Sequence, residues 1–80
     1  MLFENIHSGI TLYEIRWGKE PYISSWEVKE CFHFIGETEH VYLPDKFIGK
    51  SSITRQDIGA VFFFSYEAAE KFLNSINKKR

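Results

Sequence analysis

Cysteine occurs once in this chain, as Cys31. No disulfide can staple the fold from within, so a secreted, disulfide-dense scaffold is excluded. A lone thiol fits a reducing compartment, and a cytoplasmic location is the expectation. Long apolar runs are also missing. No stretch approaches the ~20 apolar residues of a membrane span, and the opening MLFENIHSGI has neither the basic region nor the apolar run of a signal peptide. Charge of one sign is lacking too. Ten Lys and Arg stand against eleven Asp and Glu, interleaved, for a formal net charge of -1. This gives no general attraction to nucleic acid or to an anionic membrane. The one basic cluster is Lys78-Lys79-Arg80. No internal repeat, low-complexity segment or linker divides the chain.

What is abundant is aromatic surface: eight Phe, four Tyr and two Trp among 80 residues. That length predicts a single domain spanning 1–80. A chain this short buries only about 60–65% of the surface it exposes when unfolded. Large rings compensate, because each buries much area per residue ordered.

Periodicity sets the expected elements. Ile10 to Trp17 is β-branched and aromatic, as a strand requires. Tyr13, Ile15 and Trp17 share one face of it; Ile10 and Leu12 share the other with Glu14 and Arg16. Gly18 to Pro21 breaks the run. Tyr22 to Phe34 reads as one long second strand, with Trp26, Val28, Phe32 and Phe34 on a single apolar parity. Glu30 interrupts that parity, which calls for a bulge near Lys29-Glu30 or for strong bending. Gly36 marks a turn, and His40 to Pro44 reads as a third strand. Asp45 to Lys50 is loop-like, Ser51 to Thr54 suits a short strand, and Arg55 to Gly59 a tight turn or a turn of 3₁₀-helix. Ala60 to Phe64 is then the last strand.

A helix follows, expected over 66–77. Ser65 is a good N-cap, and Ala69, Phe72, Leu73 and Ile76 recur at the spacing of one apolar stripe. Glu67 and Lys71 stand four apart on the opposite side, where they can pair. A β-rich segment over 9–64 closed by one helix predicts an α+β fold: a small antiparallel, SH3-like, partly open β-barrel of four or five strands, with the helix packed outside it or across one end. A flat sheet with the helix on one face is the alternative. Ser65 must turn the helix back beside its own strand. Phe62 and Phe63 point to opposite faces, so both are expected to be buried, with Phe64 at the strand end partly exposed.

The stretch from Asp57 to Leu73 resembles a type of small bacterial domain common in Gram-positive bacteria and their mobile elements. Those domains close on a pattern like D-I-G-K-T-V-F-(L/F)-T-x-E-E-A-E-x-x-L. Asp57, Ile58, Gly59, Phe63, Phe64, Ser65, Glu67, Ala69, Glu70 and Leu73 match it. Ala60 and Val61 stand where Lys-Thr is usual, Phe62 replaces Val, and Ala68 replaces the second Glu. The resemblance implies a fold and a phage or mobile-element setting. It implies no activity, and the matched positions have the jobs of turn, strand, cap and core.

Catalytic and metal signatures are weak. Gly49-Lys50-Ser51-Ser52 ends like a phosphate-binding loop, but Pro44 occupies the position of the first required Gly and no helix follows. Cys31, His33 and His40 would converge if their strands paired, yet C-x-H is not an established zinc spacing. A nucleophile would need a base and an orienting acid that no local signature places, and one small core leaves little room for a cleft of the usual ~300 Å³ or more. The expectation is a protein that is not an enzyme, takes no cofactor and binds no metal.

Binding remains. Small barrels hold single strands on aromatic platforms flanked by Lys and Arg. Arg16, Trp17, Lys19 and Tyr22 cluster around the first loop, while Lys46, Lys50 and Arg55 lie in later ones. Nucleic-acid binding is therefore one reading. The favoured one is protein–protein interaction. Trp17, Tyr22, Trp26, Tyr42 and Tyr66 exceed what so small a core needs, and such residues anchor interfaces, although for Trp26 core packing is the better reading. An orphan edge strand can also pair two copies as a homodimer. The binding residues expected from sequence are Arg16, Trp17, Lys19, Tyr22, Tyr42, Lys50 and Arg55. The partner expected is a host or phage protein or a second copy, with nucleic acid as the alternative.

Overall fold

The computed structural model describes residues 3–36, 39–46 and 49–78. The fold is α+β: among the described residues, six strands in two small antiparallel sheets and one C-terminal helix. After a 3₁₀ turn at Phe3–Asn5 come β1 (Thr11–Arg16), β2 (Tyr22–Glu27), β3 (Phe32–Phe34), β4 (His40–Tyr42) and β5 (Ser52–Thr54). A second 3₁₀ turn (Arg55–Asp57), β6 (Phe62–Phe63) and α1 (Tyr66–Lys78) complete the chain. The sheets have the orders β2-β1-β6 and β3-β4-β5. Among the described residues no ladder joins them into a closed barrel. The basic tail Lys79-Arg80 lies outside the described residues, as does the middle of the loop before Gly49. Among the described residues no helix is long and apolar enough to cross a membrane.

One strand expected from the sequence is two here, and this corrects the sequence reading. β2 ends at Glu27, and the chain runs irregularly through Val28 to Cys31 before β3 starts in the other sheet. Val28 is fully buried, whereas Phe32 and Phe34 are 51% and 48% exposed. Parity counted from Trp26 does not survive that crossing, because the chain turns over as it changes sheets. Glu30, exposed in the crossing segment, marked the place.

The first sheet is covered on both faces. In register, Leu12 opposes Trp26 and Glu14 opposes both Ser24 and Phe62. Directly opposed residues point the same way, so these look toward the second sheet. There Leu12, Val28, Val41, Leu43, Ile53 and Phe62 form the main core with Phe3 and Ile6. On the other face Tyr13 opposes Phe63. Ile15, Phe63 and Ala69 make a second, smaller core, with Tyr13, Ile23, Phe72 and Leu73 packed on it. Phe62 is 0% and Phe63 5% exposed, and Phe64 is half-buried. The run of phenylalanines is thus shared between two cores.

Helix α1 starts where its cap is. The Ala68 N–H donates to Ser65 Oγ at 3.2 Å, which satisfies one of the free donors of the first turn. The Phe72 ring meets Phe63 at 5.4 Å between centroids, so the helix returns against the strand that precedes it.

The turn before β6 is built on Asp57. Its Oδ2 accepts the Thr54 N–H at 2.9 Å and the Thr54 hydroxyl at 3.2 Å, and its Oδ1 accepts from Lys50 Nζ at 3.1 Å. Its carbonyl accepts the N–H groups of Ala60 and Val61 at 3.2 and 2.8 Å. Gly59 follows at φ +87°, a left-handed conformation that glycine adopts without strain. Burial raises the Asp57 carboxyl, but the Thr54 N–H and the Lys50 ammonium outweigh burial and hold it below the ordinary aspartate value. A lowered folded-state pKa gives stability that is full above the unfolded value, near ~4, and is lost as pH falls through the folded one. In thermal melts, Asp57→Asn is expected to cost about 1–2 kcal/mol at pH 7, as loss of a capping side chain does. The gap to the parent protein should shrink progressively below pH ~4. A gap that stays constant down to pH ~2.5 would show that the Asp57 charge adds nothing.

Candidate binding surfaces

Two features of this fold are not accounted for by core packing alone. The first is the outer face of β3-β4-β5. Phe32 opposes Tyr42, which opposes Ser52; Phe34 opposes His40, which opposes Thr54. All six share one face, while His33, Val41 and Ile53 share the inner one. Phe34 stacks on His40 with ring centroids 4.8 Å apart. Tyr42 is 42% exposed and Ile35, just past the strand, 92%. An outward face of an antiparallel sheet is ordinarily polar; here aromatic side chains form half of it.

The second is a cleft of about 260 Å³ on the inner face of the first sheet, lined by Leu12, Trp26 and Phe62 and by Glu14, Arg16 and Lys46, among others. Glu14 and Lys46 are buried. Lys46 Nζ donates to Glu14 Oε1 at 2.9 Å and stands 5.6 Å from the Phe62 ring centroid. Glu14 Oε2 accepts the Lys50 backbone N–H at 3.4 Å. Arg16 Nη1 reaches Glu14 only at 3.8 Å. Gly49 packs against this cluster at φ +78°. A Cβ there would lie 2.8 Å from Arg16 Nη1 and 3.0 Å from both Glu14 oxygens. Gly49→Ala therefore combines backbone strain with a collision on a buried ion pair. Urea titration should show a loss of about 1–3 kcal/mol; a loss under ~0.5 kcal/mol would mean that the loop simply moves away.

The residues expected from sequence fall in three places. Arg16 and Tyr22 are cross-strand partners; Trp17 and Lys19 follow in the exposed β1–β2 loop, so these four do form one neighbourhood. Tyr42 lies apart, on the outer face of the second sheet. Lys50 and Arg55 lie around the turn of Asp57, and both are engaged by acids. Lys50 pairs with Asp57 at 3.0 Å, while Arg55 pairs with Glu4 and, at 3.1 Å, with Glu39. Arg55 also sits over the Phe3 ring, 5.0 Å from its centroid. Tyr66 is half exposed and meets Tyr13 edge-on at 6.1 Å. Trp26 is half-buried and packs on the main core, yet it also lines the cleft.

Sequence reasoning placed Phe32 and Phe34 in the core and so missed the outer face. It noted Glu14 on an apolar parity without drawing the consequence, and it left Lys46 in a loop. Cys31, His33 and His40 do not converge. His33 Nε2 lies 2.7 Å from the Ile6 carbonyl oxygen and Cys31 Sγ 3.8 Å from the same atom, whereas His40 is on the opposite face of its sheet. Compared with family models, curated proteins and solved structures, the chain gives no significant match.

Proposed function

We propose that the protein is a non-catalytic interaction module that binds another protein through the outer face of β3-β4-β5. The observation that carries this reading is the exposed row of Phe32, Phe34 and Tyr42. With each aromatic worth roughly 150–250 Å² when fully buried, the half-exposed row offers on the order of 300 Å² of largely apolar surface, within the range of the biggest patch of a typical monomer. Aromatic anchors of this kind carry the energy of protein interfaces. A nucleic-acid surface would need unspent cations beside its rings. On this face Arg55, next in the chain to Thr54 of β5, is engaged by Glu4 and Glu39, while Arg16 and Lys19 belong to the first sheet and its loop. The protein reading is therefore preferred to the nucleic-acid one.

We further read the fold as SH3-like. Support comes from connectivity: an irregular crossing from β2 in one sheet to β3 in the other, a meander through β3-β4-β5, a 3₁₀ turn, and a last strand returning beside β1. The setting we infer is the cytoplasm of a bacterium, on a phage or mobile element, with a host or phage protein as partner. It rests on the resemblance of Asp57 to Leu73 and on the single thiol.

The test uses the intact protein and a Phe32→Ser/Tyr42→Ser variant. Cross-linking in bacterial lysate and light scattering should show the parent protein joined to one protein, or to a second copy, and the variant, with an unchanged circular-dichroism spectrum, joined to neither. A parent protein that stays monomeric and unpartnered overturns the reading, as does one whose only ligand at low salt is short RNA or DNA.

A further inference from the structure

The cleft has an apolar floor, a cation at its rim and an open strand beside it. Leu12, Phe62 and Trp26 supply the floor. On β2 the residues facing this side are Tyr22, Ser24 and Trp26, through their register with Arg16, Glu14 and Leu12. The small serine between two aromatics leaves the space. Ser25 lines the cleft as well, so the space reaches the margin of β2. That margin is open: among the described residues β2 pairs with β1 alone. The Val28 N–H donates to Ile10 O at 2.8 Å, toward the first strand. Alternation along an antiparallel strand then directs the backbone groups of Ile23, Ser25 and Glu27 outward.

Charge completes the picture. Glu14 is held at 2.9 Å by Lys46, while Arg16 is left with a 3.8 Å contact to the same carboxylate and a partly exposed side chain. A guanidinium has five N–H donors in a planar fork, matched to a carboxylate. Most of that fork is unspent within the described residues. A buried ion pair is also a poor stability device compared with apolar packing. Its presence at the wall of a cleft is the kind of departure from core chemistry that functional sites show.

We propose that this cleft is a second recognition site, and that it takes an extended peptide segment of a partner protein, added as a strand to the open edge of β2. One apolar side chain of the segment enters the cleft, and a Glu or Asp two positions along binds Arg16. Strand addition supplies main-chain hydrogen bonds, and alternate side chains supply specificity. About 260 Å³ accommodates one large apolar side chain with room for its neighbours. The proposal deepens the protein-binding reading and rests on it, but it uses a different surface.

The probe is a displayed library of random nonapeptides selected on the intact protein. Enriched peptides should share an apolar residue followed at the second position by Asp or Glu. Their affinity should fall at least tenfold in Ser24→Leu, which fills the cleft. In Arg16→Gln it should fall about tenfold for the acidic peptides and not at all for their Gln or Asn counterparts. Thermal melts of both variants establish that they fold, and Arg16→Gln alone decides the matter if Ser24→Leu does not. No enrichment, or enriched peptides indifferent to Arg16→Gln, overturns the proposal. Peptides lost instead in Phe32→Ser/Tyr42→Ser overturn the cleft and leave the outer-face reading standing.

Discussion

Phe62→Ala is expected to cost about 3–5 kcal/mol, the range for truncating a fully buried aromatic ring. An 80-residue domain has roughly 4–12 kcal/mol in all, so the variant should sit at or near the edge of folding. The reason is position. Phe62 is 0% exposed and lies in the main core between the sheets. It also opposes Glu14 in the ladder with β1 and floors the cleft, so a cavity there is flanked by a buried charge. Its neighbours give internal controls. Phe63→Ala empties the smaller core beneath α1, where the ring meets Phe72. A loss near 3 kcal/mol is expected, with a reduced urea m-value if the helix undocks before the sheets unfold. Phe64, half-buried at the strand end, should lose only about 1 kcal/mol. A steep order of 62, then 63, then 64 in equilibrium urea unfolding is the signature of one run of side chains divided between two cores. If Phe62→Ala cost under ~2 kcal/mol, that division would not be what holds the sheets together.

That division was legible because it needs only local rules. Strand parity separates Phe62 from Phe63, Ser65 starts a helix, and the helix stripe of Ala69, Phe72 and Leu73 needs an apolar partner nearby. The faces of β1 were legible for the same reason: alternation from Ile10 to Trp17 is uninterrupted. Phe32 and Phe34 were misplaced because parity is a property of continuous strand, and the chain leaves strand geometry between Val28 and Cys31. An irregular crossing resets which way the next residue points, and the sequence carries no count of that rotation. Glu30 signalled the break without giving its outcome. The cleft was half legible. Glu14 on a core-facing parity is an anomaly visible in the sequence alone. Its partner Lys46 stands 32 residues away in a loop, and loop closure is fixed by the tertiary fold rather than by spacing.

Lys46→Met is expected to be the costliest single change outside the apolar core, at about 3–5 kcal/mol, because it leaves Glu14 buried without its closest counter-charge. The lower end applies. The Lys50 backbone N–H remains at 3.4 Å, and Arg16, now 3.8 Å away, can close on the vacated oxygen. Glu14→Met should also be destabilising, because it removes the carboxylate that Lys46 Nζ contacts at 2.9 Å. The double variant decides what the pair is for. Methionine is unbranched and fills irregular space, so Glu14→Met/Lys46→Met replaces two buried charges with apolar packing against Leu12 and Phe62. Its stability should fall within about 1 kcal/mol of the parent protein or exceed it, as apolar replacements of buried pairs commonly do. The coupling energy from the cycle would then be more than ~2 kcal/mol. If the double variant loses instead the sum of the two singles, the cycle shows no coupling and the pair is two independent structural contacts. If it is stable but no longer selects acidic peptides, the pair is there to hold Arg16 at the mouth of the cleft. In that case the cost of burying Glu14 and Lys46 is explained by recognition rather than by the fold.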